Sequence, residues 1–286
     1  MGAVCLGLTN LDLVQRVSNP PEIGRKQVVE FTELCAGGPA ANAAITAAAL
    51  LGECTLITGL GASPAAELCR ADLTAHGVRV LDLAPAGWQL PTSACVITPD
   101  GERTVFSQSA LGSRLQLSDR AREALAYADA LLLDGHHPVA AGMAIGLVAD
   151  GDCVTLLDAG SVKPAAESWL SWLDVVAGSA DYASGLGTDL DGALAHVVDA
   201  GATAAVMTDG PREVIWCHPT GAGRVVPPAV EAIDTLGAGD AFHGALLAGL
   251  LTHDGDLGEA VQMAVVTAST RVTTAGSRSW LAQLRV

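Results

Sequence analysis

Short apolar runs alternate with longer alanine-rich segments along most of this chain. No other feature restricts its fold as much. Residues 3–8, 55–60, 130–134, 154–158, 175–177 and 204–208 are the apolar runs. Between them, 39–51, 65–75, 119–127, 138–149 and 189–200 have the length and alanine content of helices. This alternation predicts an α/β fold, a parallel sheet with helices on both faces. Two further helical segments, 239–252 and 256–271, close the chain. Two regions break the pattern. Residues 11–35 carry Pro20, Pro21 and Gly24, and 92–108 read as a hairpin turning at Pro99-Asp100-Gly101. Each is too short for its own core, so together they are expected to form a small accessory sheet over one edge of the main one.

Composition narrows the function. Half of the 286 residues are apolar but only 3% are aromatic, so small side chains carry the hydrophobicity. The longest uncharged stretch of note, 36–52, contains Pro39 and Asn42 and falls short of the roughly 20 apolar residues of a membrane span. Residues 1–8 carry no basic leader, and a cytoplasmic protein with no membrane partner is expected. The net charge of −16 lacks the basic footprint of a nucleic-acid binder. Neither lysine, Lys26 or Lys163, lies in a phosphate-loop sequence. Residues 59–64, Gly-Leu-Gly-Ala-Ser-Pro, lack the third glycine of a dinucleotide fingerprint. Seven cysteines without a C-x-x-C pair argue against zinc ribbons and a disulfide scaffold, and for buried small hydrophobes in a reducing compartment.

The most informative string is Asp234-Thr235-Leu236-Gly237-Ala238-Gly239-Asp240-Ala241-Phe242, which opens the first closing helix. Gly237 and Gly239 permit tight backbone conformations. A glycine-rich turn entering a helix points free N–H groups at one spot, where the helix dipole adds positive potential. The amides of Gly237, Ala238 and Gly239 thus make a nest for a phosphate or a developing anion. Asp240, beside it, can take a proton from a hydroxyl while the nest holds a transferring phosphoryl group. A bare G-x-G-D turn also serves as a plain helix cap. The full string resembles the D-T-x-G-A-G-D-x-F signature of the ribokinase-like (PfkB) carbohydrate kinases.

The resemblance covers nearly the whole chain. It implies a three-layer α/β/α sandwich over 1–286, with a mostly parallel sheet and a discontinuous β lid from about 11–35 and 89–109. It implies an ATP-dependent sugar kinase with Asp240 as general base, and a homodimer formed through the lid. Asp12, after the first strand, and Gly38 and Asn42 of Gly37-Gly38-Pro39-Ala40-Ala41-Asn42 would hold the sugar. Arg103, in Gly101-Glu102-Arg103-Thr104, would reach the sugar or stand as a solvated hairpin charge. Thr208 and Gly210 match the family's nucleotide-contacting T-x-G. Ala268 and Gly276 lie where relatives line the adenine pocket, though helix packing explains the alanine equally well.

The chain departs from the family in two places. The N-x-x-E motif that positions Mg2+ is replaced by Ser179-Ala180-Asp181-Tyr182, with Asp181 as a possible substitute and ATP and water as the main holders. At the strand end 134–138, Asp134 or His136 could face the sugar. The adjacent His136 and His137 point opposite ways in extended backbone and make a poor metal pair. Many relatives bind a monovalent cation, and the resemblance implies K+ here, held by oxygens near Asp234 and Thr235 and a C-terminal loop matching 274–277. A nucleoside kinase of the same fold, with Trp88 or Phe106 as a base platform, and a non-catalytic sugar or nucleotide sensor are the alternatives.

Overall fold

The computed structural model describes residues 2–108, 110 and 112–284. Ser109, the last residue of the expected lid segment, lies outside them. The chain starts with β1 (Ala3–Leu6), β2 (Asn10–Arg16), β3 (Phe31–Gly37), α1 (Pro39–Leu51), β4 (Cys54–Thr58), α2 (Pro64–Ala75) and β5 (Val78–Asp82). It continues with β6 (Thr92–Ile97), β7 (Arg103–Ser107), α3 (Asp119–Ala126), β8 (Ala130–Leu133), α4 (Pro138–Val148), β9 (Val154–Ala159) and α5 (Pro164–Glu167). Then come β10 (Val175–Ser179), α6 (Ala180–Leu186), α7 (Leu190–Asp199), β11 (Ala204–Thr208), β12 (Val214–His218), β13 (Gly221–Val225), α8 (Ala238–Thr252) and α9 (Leu257–Val272).

Nine strands form the main sheet, in the order β13-β12-β11-β10-β9-β8-β1-β4-β5. The seven from β11 to β5 are parallel, and the β12–β13 hairpin adds an antiparallel edge. Each buried strand splits its side chains between two helical layers, as a two-residue period requires. Ala3 and Cys5 of β1, with Leu132 of β8, join the core beneath α1, α8 and α9. Val4 and Leu6, with Leu131 and Leu133, join the core beneath α3, α4 and α7. The alanine and glycine content has a direct use here. A Cβ on Gly244 of α8 would lie 2.3 Å from the Ala43 carbonyl oxygen of α1, and one on Gly249 would lie 2.7 Å from Ala260 Cα of α9. The helices cross so closely that their backbones touch.

Strand order reverses between β1 and β8, so the carboxyl ends of these strands border the crevice where ligands bind in open α/β sheets. The buried Asp134, just beyond β8, ties this point together. Its carboxylate accepts the amides of Leu8 (2.8 Å), Ala40 (3.2 Å) and His136 (2.8 Å). Gly7 makes room, since a Cβ there would lie 2.1 Å from Asp134 Oδ1.

The second sheet has the order β3-β2-β6-β7, and β2 follows β1 directly in the chain. The hairpin expected over 92–108 is β6 and β7, joined by a turn in which Gly101 donates to the Thr98 carbonyl (2.9 Å). Val14, Cys35, Cys95 and Ile97 fill the inner face and meet Leu236 of the glycine-rich string. On the outer face, Leu13 pairs with Leu34 and Ala94, and Ala94 with Phe106. Replacing Asp134 with alanine leaves three amides without an acceptor. The expected cost is about 3 kcal/mol or more, read as a lower urea midpoint with an unchanged slope.

Candidate active site

The N-terminus of α8 meets α1 and the second sheet above the strand ends. Gly237 is the N-cap, with φ 74°, a left-handed conformation that favours glycine. The Ala238 amide is already bonded to the Thr235 carbonyl (3.3 Å). The amides of Gly237, Gly239 and Asp240 donate to no protein acceptor among the described residues. The expected nest therefore loses the Ala238 amide and gains that of Asp240.

The Asp240 carboxylate sits in the first turn of α8 and accepts from Asn42 Nδ2 (2.8 Å). Asn42 in turn accepts from Arg278 Nη1 at Oδ1 (3.2 Å). Both ends of the Asn42 amide are thus occupied, and it orients Asp240 from the side of α1. Burial pushes the Asp240 carboxyl up to about 6, and the nearby Asp158 carboxylate adds to this against the Asn42 bond. Beneath it, one turn along α8, His243 is buried beside Asp158, with Nδ1 3.2 Å from Oδ2 and Nε2 3.2 Å from the Ala177 carbonyl oxygen. Nε2 is bonded, whereas Nδ1 lies at ion-pair distance from Asp158 without the alignment of a hydrogen bond, so the carboxylate favours an imidazolium by charge. Burial disfavours that imidazolium, but Asp158 prevails and raises its pKa. The imidazolium holds Asp158 below the usual carboxylate range despite its burial.

Asp12 lies across the crevice on the inner face of β2. It is buried and receives Asn10 Nδ2, which also donates to Ser93 Oγ (2.7 Å). Burial pushes Asp12 up to about 6, against the Asn10 bond and the Arg278 charge. The two glycines of the Gly37-Gly38 pair are each required. A Cβ on Gly37 would lie 2.0 Å from Asp12 Oδ2, and one on Gly38, at φ 101°, would lie 2.3 Å from the Leu8 carbonyl oxygen. Gly38 thus serves a close backbone approach within the protein. One small cavity is lined by Asp12, Cys35, Asn42, Leu236, Arg271 and Arg278.

The remaining expected residues are spread more widely. Arg103 is exposed and donates to Thr235 Oγ1 (3.3 Å). Thr235 donates from the same hydroxyl and from its amide to the Gly101 carbonyl (2.9 and 3.2 Å), which ties the hairpin turn to the glycine-rich string. Asp134 is spent on backbone amides, so it anchors the strand ends instead of facing a sugar. His136 is half-buried, and its Nδ1 has no hydrogen-bond partner. Its neighbour His137 takes a left-handed φ of 54°, shares a hydrogen bond with Ser113 Oγ (2.8 Å) and is pushed down to about 4 by burial. Thr208 donates to the Gly178 carbonyl (3.3 Å) at the carboxyl end of β11, and Gly210 follows with φ 55°. Ala268 packs against the core, and the Gly276 amide donates to Asp234 Oδ2 (3.3 Å). Asp181 is exposed in the first turn of α6. Of the two expected aromatic platforms, Phe106 lies on the outer face of the small sheet, opposite Asp12.

Sequence reasoning missed Asp158, His243, Arg16, Arg271 and Arg278. His243 follows the signature directly, and a buried helical face carrying a histidine was the one available hint.

A carboxylate beside unsatisfied helix amides, facing a second carboxylate under a small sheet, suits transfer of a phosphoryl group to a hydroxyl. Residues 2–283 match the model of the pfkB family carbohydrate kinases. The chain belongs to this family. It is accordingly a phosphotransferase with a hydroxyl acceptor. It is 28% identical over 288 residues to the ATP-dependent ribose-1-phosphate kinase of Halopiger xanaduensis, covering 96% of this chain and 92% of that protein. It is 23% identical over 290 residues to the ribokinase of Staphylococcus aureus strain COL, covering 96% and 95%. The crystal structure of a putative ribokinase from Agrobacterium tumefaciens superposes with a TM-score of 0.86 at 24% identity, covering 99% of this chain and 97% of that one. The fold is the ribokinase-like one. Among the described residues, no helix is long and apolar enough to cross a membrane.

Carbon-detected NMR titration should place the Asp12 and Asp240 carboxyls near 6, well above an ordinary aspartate. In Asn42→Ala the charged form of Asp240 loses a donor, so its titration should move to higher pH while that of Asp12 stays.

Proposed function

We propose that this kinase transfers the γ-phosphoryl group of ATP to a sugar hydroxyl, with Asp240 as general base. The observation that carries the reading is the Asp240 carboxylate in the first turn of α8, beside the unpaired amides of Gly237, Gly239 and Asp240. Asp240 takes the proton of the attacking hydroxyl, and the amides receive the charge that develops on the γ-phosphoryl oxygens. Asp12 accepts from the sugar's hydroxyls on the opposite wall, with Asn42 and Arg278 beside it. Thr208 and Gly210 border the nucleotide, with Ala268 and Gly276 nearer the C-terminal helix. The relatives name two acceptors to test first, ribose and ribose 1-phosphate.

Bound magnesium would neutralise charge on the β- and γ-phosphates. Among the described residues, no group of three or more His, Cys, Asp or Glu side chains converges on one point. That donor set fits an ion carried by the triphosphate and water, with the exposed Asp181 as the carboxylate offered to its water shell.

The small sheet acts as the lid over the sugar and excludes water, which suppresses ATP hydrolysis. Its outer face supports self-association. Leu34, Leu13, Ala94 and Phe106 form a cross-strand apolar row, and Phe106 is 69% exposed. The row is suited to a second copy of the same lid, giving a two-fold homodimer. Sedimentation should show a dimer for the wild type and a monomer for Phe106→Asp. A wild-type monomer at micromolar concentration refutes the lid interface.

The activity test measures ADP release with Mg-ATP over ribose, ribose 1-phosphate, other free and phosphorylated sugars, sulfosugars and nucleosides. One acceptor should turn over, and Asp240→Asn should lose at least about 10²-fold. The base works deprotonated, so kcat should fall about tenfold per pH unit below about 6. Near wild-type turnover in Asp240→Asn would remove the base from the mechanism. Preference for a nucleoside over every sugar would reassign the acceptor.

A further inference from the structure

The cation that the family resemblance places near Asp234 and Thr235 does not fit the oxygens found here. The Asp234 carbonyl oxygen accepts Arg271 Nη1 (3.5 Å), as does the Thr274 carbonyl oxygen (3.1 Å). Asp234 Oδ2 receives Arg16 Nη2 (2.5 Å), Arg271 Nη2 (3.3 Å) and the Gly276 amide. Asp234 Oδ1 receives the Leu236 amide (3.0 Å). The Thr235 hydroxyl is turned to Gly101 and Arg103. One carboxylate already faces two guanidiniums, so a further cation would meet like charge and no free donor set.

We propose that the guanidinium of Arg271 stands in for the monovalent cation, and that this kinase works without potassium. The proposal rests on the kinase reading above. Arg271 is 3% exposed and belongs to the last turn of α9, where the helix dipole and unpaired carbonyls favour a cation. The 233–234 backbone closes on the same helix end, with the amides of Ile233 and Asp234 donating to the Val272 carbonyl (2.7 and 3.2 Å). Arg271 thus joins the C-terminus of α9 to the start of the glycine-rich string, as a bound ion would. It differs from an ion in being always present and always charged. It is a positioning residue for the amides at Gly237–Asp240.

The test compares wild-type ADP release in potassium, sodium and tetramethylammonium salts at equal ionic strength. It also follows thallium(I), a potassium mimic, by thallium NMR. The rates should agree among the salts, and thallium should show no saturable binding. Arg271→Ala opens the oxygen cage, so its turnover should drop at least about tenfold, and potassium or added guanidinium ion should restore part of it. Stimulation of the wild type by potassium of about tenfold or more, or saturable thallium binding, overturns the proposal. So does an Arg271→Ala enzyme as active as wild type without any added cation. The wild-type arms decide the matter if the variant does not fold. If no acceptor turns over, the kinase reading fails and the thallium measurement still judges Arg271.

Discussion

The crossing of α1 over α8 is the contact on which the site depends. Gly244 leaves no Cβ between the helices, where one would lie 2.3 Å from the Ala43 carbonyl oxygen. Asn42 precedes Ala43, and Asp240 lies one helical turn before Gly244. Bringing the backbones together at that point places Asn42 Nδ2 at 2.8 Å from Asp240. A larger residue at 244 would spread the helices and separate the amide from the carboxylate. The abundance of alanine and glycine is therefore tied to the geometry of the site as well as to the density of the core.

Charge at the crevice is arranged in layers. Asp240 is close enough to the buried Asp158 for that carboxylate to add to the rise in the pKa of Asp240. The structure relieves this with His243, whose two nitrogens face Asp158 and the Ala177 carbonyl. Positive charge on His243 offsets the lower carboxylate, which holds Asp158 below the usual range, and leaves the upper one, Asp240, as the proposed base. Asp12 is treated differently. It is buried against neutral donors, with Arg278 at a distance, and so shares a raised pKa without an ion pair. Two carboxylates on opposite walls thus reach a similar proton affinity by different means.

Much of this was legible in the chain. The parallel strands and their helices were readable because a fully buried strand is a short apolar run and its helix an alanine-rich one. The glycine-rich turn that sets Asp240 in the first turn of α8 was readable because its residues are consecutive in the chain. The strands β5, β12 and β13 were not, since Val78–Asp82 and Gly221–Val225 are the two edges of the sheet, Val214–His218 lies next to an edge, and all three mix polar with apolar residues. Asp134 illustrates a second limit. An aspartate after a strand suggests a ligand or a turn, and only the fold brings Leu8 and Ala40 to its carboxylate. Arg271 and Arg278 were illegible for the same reason, because their partners lie up to 242 positions away.

The small sheet is joined to the chemistry by backbone as well as by cover. Gly101, at the tip of its hairpin, has φ 80°, and a Cβ there would press within 3.0 Å of the Ala232 carbonyl oxygen. Its own carbonyl takes both donors of Thr235. Asp234, the preceding residue, is held by the two arginines, and Leu236, the following one, fills the sheet's inner face. The three residues before Gly237 are therefore fixed from three directions: the hairpin, the end of α9 and the underside of the sheet. A shift of the hairpin would be felt at Thr235 and passed to the amides proposed to receive the phosphoryl group. On the proposed reading, closure of the sheet and completion of the anion site would be one movement, because they share the same few residues.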